Sequence, residues 1–161
     1  MSEPARPATL EVDGLRSGYH GVTVLKGLDF AVGDEVFAVL GANGAGKTTL
    51  LATLARLIPL MAGTIRFRGE DVSTLPPFET AARGVGYVPQ EKGTFTDLTV
   101  LENLSVGGMI GARPREERMA EVFDLFPDLK ALRAVKCLKR NYHFMQICPP
   151  CRSRNGALFS A

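Results

Sequence analysis

The chain has 161 residues, 45% of them hydrophobic, and a formal net charge of +2, which suits one globular domain with a buried core. Gly, Pro or charge interrupts every apolar run well short of the roughly 18 consecutive residues of a membrane span, so no spanning segment is expected. Residues 1–8 contain Glu3, Arg6 and two prolines without an apolar stretch, and read as a disordered leader and not a secretion signal; a cytoplasmic location is the expectation.

From Thr9 to Leu15 and from Lys26 to Val32, apolar and polar residues alternate, with Gly18 and Gly21 as turn points, predicting an antiparallel strand region. Glu35 to Leu40 is short, continuously apolar after its first residue and stopped by Gly41, as expected of a strand covered on both faces. After a glycine-rich turn, Thr48 to Ile58 carries Leu50, Leu51, Leu54, Leu57 and Ile58 at helical spacing until Pro59. Thr64 to Phe67 predicts a strand, Pro76 to Arg83 a short helix, and Val85 to Val88 a strand halted by Pro89. Thr99 opens a helix with Val100, Leu101 and Leu104 on its apolar face. A second helix, from about Pro114 to Phe126, is expected to bury Met119, Val122, Phe123 and Phe126.

All 17 acidic residues lie at or before Asp128, whereas seven of the 19 Lys and Arg and all three cysteines lie beyond it. Residues 136–161 are therefore set apart as a frameshifted or disordered tail, leaving 9–135 as the folded portion. In the tail, Cys148 and Cys151 with Cys137 and His143 offer four zinc ligands as the alternative, although only one C-x-x-C pair is present. The tail's basic residues come without an aromatic or helical recognition pattern, so no nucleic-acid partner is expected.

The most informative stretch is Gly41-Ala42-Asn43-Gly44-Ala45-Gly46-Lys47-Thr48, a complete G-x-x-x-x-G-K-[ST] pattern between a predicted strand and a predicted helix. Glycines let successive backbone N–H groups turn inward around phosphate oxygens, where side chains would block approach. The helix N-terminus adds partial positive charge. This chemistry assigns Gly41, Asn43, Gly44, Ala45 and Gly46 to the cradle and Lys47 to the β- and γ-phosphates. Thr48 takes Mg²⁺ through its hydroxyl, and Thr49 the α-phosphate side. A nucleotide polyphosphate with Mg²⁺ is the expected ligand. The loop alone does not separate transporters from small P-loop kinases, GTPases or helicases.

Three further segments make residues from roughly Leu10 to Val135 resemble the ATP-binding subunits of ABC transporters. Ser17-Gly18-Tyr19 followed by Val24-Leu25-Lys26-Gly27-Leu28 is similar to the family's A-loop region, whose aromatic stacks on adenine; the resemblance gives that role to Tyr19. Val85-Gly86-Tyr87-Val88-Pro89-Gln90 is similar to the strand entering the Q-loop, which makes Gln90 a contact for Mg²⁺ and the attacking water. Leu98-Thr99-Val100-Leu101-Glu102-Asn103-Leu104 looks like the start of the helical subdomain that docks on the membrane subunit. The wording is closest to importers of branched-chain amino acids and related amides.

The resemblance implies an α/β P-loop NTPase fold of the ABC ATPase type, in its N-terminal portion, with an antiparallel β subdomain and the beginning of the helical subdomain. It implies ATP as the nucleotide, and membrane subunits and a second ATPase subunit as partners, hence peripheral association with the inner face of the plasma membrane. The family's Leu-Ser-Gly-Gly-Gln signature, Walker B Asp-Glu, D-loop and switch histidine do not occur in these residues, so the expectation is a hydrolysis-deficient fragment without a complete catalytic set. Leu104-Ser105-Val106-Gly107-Gly108 imitates the signature but has Val106 inserted and lies too close to Gln90. The competing readings are a non-catalytic module that pairs with an intact ATPase, and a small P-loop kinase.

Overall fold

The structure is a computed structural model that describes residues 8–89, 93–109, 113–137 and the backbone of 157–160. Two compact units divide the chain, one extending to Thr80 and the other beginning at Ala81.

The first unit is organised by two tight hairpins. Strands β1 (Leu10–Tyr19) and β2 (Val22–Val32) are joined through His20 and Gly21, both at positive φ (48° and 81°). Strands β3 (Leu60–Phe67) and β4 (Glu70–Asp71) are joined likewise through Arg68 and Gly69 (53° and 79°). Two successive positive φ values give a turn whose twist matches that of the flanking strands. The four strands form one antiparallel sheet in the order β2-β1-β3-β4. The alternation at Thr9–Leu15 and Lys26–Val32 thus marks real strands, both longer than expected, and Gly18 lies inside β1 instead of in a turn.

An irregularity in β1 decides what this sheet buries. Leu10 and Val12 face the core, and then the register with both neighbours shifts around Gly14, so that Leu15 and Ser17 are buried next. The inward positions change from even to odd, because an extra residue in one strand reverses the side-chain parity beyond it. Opposite the shift lies Gly63 (φ 93°), where a β-carbon would stand 2.5 Å from the carbonyl oxygens of both Asp13 and Gly14.

Helix α1 (Lys47–Leu54) packs against β1 and β2, bringing Leu50 and Leu54 to the same core as Leu15, Ile65 and Val72. It ends four residues before the expected Ile58. Arg56 turns left-handed (φ 62°), its N–H donates to the Thr53 carbonyl, and the Leu57 N–H donates to the Ala52 carbonyl, each at 2.9 Å. These two bonds close the helix as a Schellman motif. Leu57 is left exposed while Ile58 returns to the core.

The expected strand at Glu35–Leu40 is not a strand. Among the described residues it pairs with no neighbour, Val36 is 98% exposed and Leu40 91%, and Phe37 stacks on Phe30 at the end of β2 with centroids 5.6 Å apart. An apolar run becomes a buried strand only when flanking strands accept its hydrogen bonds and other layers cover both faces.

Helix α2 (Pro77–Ala82) runs across the division between the units. In the second unit, β5 (Val85–Val88) pairs in parallel with β6 (Ala157–Ser160), which lies within the basic tail. Three helices follow β5 in sequence: α3 (Val100–Gly107), α4 (Arg115–Leu125) and α5 (Pro127–Ala131), the last unanticipated. Val100, Val122, Leu129 and Cys137 form a small core against which Leu104, Phe123 and Phe126 pack. Leu101 is exposed and Met119 half-buried, so two residues expected inside are not core members. Burial also raises the pKa of the Cys137 thiol.

The Leu98–Leu104 wording has a local physical explanation. Thr99 is the N-cap of α3. Its hydroxyl accepts the Glu102 N–H (3.2 Å), and the Glu102 carboxylate accepts the Thr99 N–H (2.7 Å), completing a capping box. Asn103 is buried and pins the preceding loop: its amide oxygen accepts the Phe95 N–H at 2.8 Å, and its amide nitrogen reaches the Phe95 and Thr99 carbonyls at 2.9 and 3.0 Å. The Val100 and Leu101 N–H groups, orphaned at the helix start, donate to the Val135 and Arg133 carbonyls.

The capping box is acid-sensitive. The hydrogen bonds from the Thr99 backbone and hydroxyl hold the Glu102 carboxyl below its ordinary 4.5. A depressed folded pKa means that the stabilisation is present above the ordinary value and fades as pH falls through the depressed one. Hydrogen exchange of the first-turn amides of α3 should therefore accelerate relative to the intrinsic rate as pH drops below 4.5. In Glu102→Gln this acid step should vanish; its persistence would place the titrating group elsewhere.

Candidate functional site

Residues 41–46 form an exposed loop leading into α1, with Gly44 and Gly46 at φ of 84° and 95°. The Ala45 N–H closes the turn on the Ala42 carbonyl at 3.2 Å. Gly46 is the left-handed N-cap of α1, and its position is confined: a β-carbon there would lie 3.1 Å from Leu25 Cδ2 and 3.3 Å from Val24 Cγ1. The last loop glycine therefore closes directly on β2, and glycine meets both the φ and the space.

The N-terminus of α1 is chemically open. Among the described residues no side chain caps it, its first turn holds no acidic residue, and the first ladder bond runs from the Leu50 N–H to the Gly46 carbonyl at 2.8 Å. The amides of Lys47, Thr48 and Thr49 thus point out of the helix end without a capping side chain, where partial positive charge accumulates. Lys47 folds back over the loop, its ammonium donating to the carbonyls of Gly41 and Ala42, each at 2.9 Å. Open amides, an adjacent ammonium and a first helical turn without a carboxylate suit a polyphosphate. Thr48 is exposed at this helix end, with its hydroxyl available to a cation that a polyphosphate would bring, whereas Thr49 is buried.

The other expected site residues divide. Tyr19 is the last residue of β1, paired with Val22 and 45% exposed, in the same unit as the loop. Asn43 is exposed in the turn of the loop. Gln90 lies outside the described residues, as do His143, Cys148 and Cys151. Sequence reading passed over Ser17 and Thr53, two hydroxyls that face each other in the core. No local signal announces them, because the parity change that turns Ser17 inward is a matter of strand register.

The signature-like segment is unsuited to phosphate. Leu104 to Gly107 forms the last turn of α3 and Gly108 its C-cap. There the helix dipole is negative, Ser105 bonds back to the Leu101 carbonyl, and the buried Arg118 of α4 donates to the Gly108 carbonyl.

The ABC transporter family profile matches residues 25–143. Among curated proteins, the chain is 36% identical over 124 residues to the lipopolysaccharide export system ATP-binding protein LptB of Escherichia coli K12, covering 74% of this chain and 52% of that protein. It is 32% identical over 119 residues to the probable branched-chain amino acid transport ATP-binding protein LivF of Archaeoglobus fulgidus, covering 73% and 50%. The chain thus spans about half the length of these relatives. Among solved structures, a nucleotide-free ATP-binding cassette from an ABC transporter superposes with a TM-score of 0.69 at 22% identity, over 83% of this chain and 59% of that one, a likeness of fold. No helix among the described residues is long and apolar enough to cross a membrane.

Proposed function

Since the chain belongs to the ABC transporter ATP-binding family, we propose that it binds ATP with Mg²⁺ through residues 41–49 and acts within a transporter as an energising subunit. The observation that carries this reading is the uncapped N-terminus of α1 with the Lys47 ammonium across the loop that precedes it. In this reading the loop amides and Lys47 hold the β- and γ-phosphates, Thr48 holds the metal, Thr49 approaches the α-phosphate and Tyr19 stacks on the base. Gln90 contributes to the metal and water.

Residues 9–135 are read as the front portion of the nucleotide-binding domain. The 161 residues contain neither a Leu-Ser-Gly-Gly-Gln segment nor an apolar strand ending in Asp-Glu. The chain's partners are membrane subunits and a second ATP-binding subunit, met at the inner face of the membrane. For the cargo we favour branched-chain amino acids or related small solutes, supported by the likeness to LivF; the likeness to LptB favours a second reading, lipopolysaccharide export. Co-purification with membrane subunits of each transporter type separates the two.

Calorimetric titration of the purified chain with MgATP and MgADP tests the reading. Stoichiometric binding of both nucleotides is expected. Absence of affinity for either nucleotide would remove the binding claim.

A further inference from the structure

Two hydroxyls meet in the core between β1 and α1. Ser17 and Thr53 are both 0% exposed, with their side-chain oxygens 2.8 Å apart. Thr53 gives its proton to the Thr49 carbonyl one turn back, at 2.7 Å. Either hydroxyl can be the donor between the pair; with Thr53 donating to Thr49 it is Ser17, whose other acceptor within range, the Pro59 carbonyl, is farther at 3.3 Å. The result is a hydrogen-bonded chain that links Ser17 through Thr53 to the backbone of Thr49. One end lies two residues before Tyr19, and the other in the first turn of the helix that carries Lys47 and Thr48.

The surroundings make this pair unusual. Leu15, Leu50, Leu54 and Ile65 fill the same core with apolar contacts, which are non-directional and tolerate small sliding of a helix over a sheet. A hydrogen bond between fully buried groups has one preferred geometry, and its loss is costly there. A second contact lies on the same side of the helix: Gly46 closes on Val24 and Leu25, and Leu25 is the register partner of Ser17. The loop end and the first turn of α1 are thus held against the very strand pair that presents Tyr19.

We propose that the Ser17–Thr53 hydroxyl pair is a positioning device that sets the phosphate-binding helix against the strand bearing Tyr19, so that base and phosphate contacts are made together. The inference rests on the nucleotide-binding reading above. Neither residue touches nucleotide in this scheme; each acts through what it aligns.

The test compares MgATP with inorganic tripolyphosphate plus magnesium, which shares the phosphates but lacks the base, by calorimetry on the full chain. Thr53→Val keeps side-chain volume and removes the hydroxyl. It should weaken MgATP binding by about fivefold, the order expected for the one hydrogen bond that links helix to strand, while tripolyphosphate binding changes less than about twofold. Thr53→Ser should restore the MgATP value, and Ser17→Ala should reproduce the loss from the other partner. Adding Tyr19→Ala to Thr53→Val should cost less MgATP affinity than Tyr19→Ala costs alone.

Equal weakening of both ligands, or loss of tripolyphosphate binding on unfolding, would overturn the proposal, because the pair would then serve the fold alone. Unchanged MgATP affinity in Thr53→Val would overturn it as well. A wild-type chain that binds neither ligand removes the nucleotide reading itself. Binding of both with no selective effect of Thr53→Val removes only this inference.

Discussion

Lys47→Ala should lower the affinity of the chain for MgATP by about 100-fold or more, on the basis of two charge-assisted hydrogen bonds of roughly 1.5–3 kcal/mol each. The ammonium already rests over the loop, bonded to the Gly41 and Ala42 carbonyls at 2.9 Å. Those contacts are exposed, so removing them should change thermal stability little and leave the loss of binding as a local effect. Lys47→Arg should not rescue, since the planar guanidinium fork needs more width than an ammonium beside two carbonyls. Calorimetry and a melting curve on the same samples check both points. Retained affinity in Lys47→Ala would place the phosphate site elsewhere.

Gly63→Ala should destabilise the first unit by about 3 kcal/mol or more, adding the cost of a left-handed L-residue to that of displacing backbone. The new β-carbon would meet the Asp13 and Gly14 carbonyl oxygens at 2.5 Å, and neither is the movable end of a side chain. Relief requires loss of the irregularity in β1, and with it the parity change that turns Leu15 and Ser17 inward. Gly27→Ala separates the two contributions: φ is 100° there but nothing lies within 4 Å, so only the conformational part, about 1 kcal/mol, is expected. Urea unfolding, read as midpoint shifts at constant slope, distinguishes them. Similar midpoints for the two variants would show that the backbone around Gly63 yields easily.

Much of the first unit was legible because its signals are local. Alternation marked β1 and β2, and the glycine-lysine-threonine spacing marked the loop and the start of α1. The early end of α1 was not legible, since Arg56 adopts a left-handed conformation that glycine usually announces. Leu101 was misjudged for a related reason: helical spacing names a stripe, but the packing partners of α3 decide how wide that stripe must be.

Hydropathy also failed at Glu35–Leu40. Its apolar content correctly describes a segment that seeks cover, yet pairing depends on neighbours distant in sequence, and among the described residues none is beside it. Composition reports a preference for burial, whereas burial itself is a property of the assembled layers.

The amino-acid order alone determined the glycine-rich loop before α1, because glycine conformational freedom, a lysine and a helix start act within a few residues of one another. It also determined the family, and through Thr99, Glu102 and Asn103 the start of α3, again by contacts within one or two turns. Only the tertiary structure decided which side of β1 faces the core beyond Gly14 and that Ser17 meets Thr53 across 36 positions. It also decided that Gly46 rests on Val24 and Leu25. Those outcomes depend on strand register and on steric fit between segments remote in sequence, and no single segment encodes either.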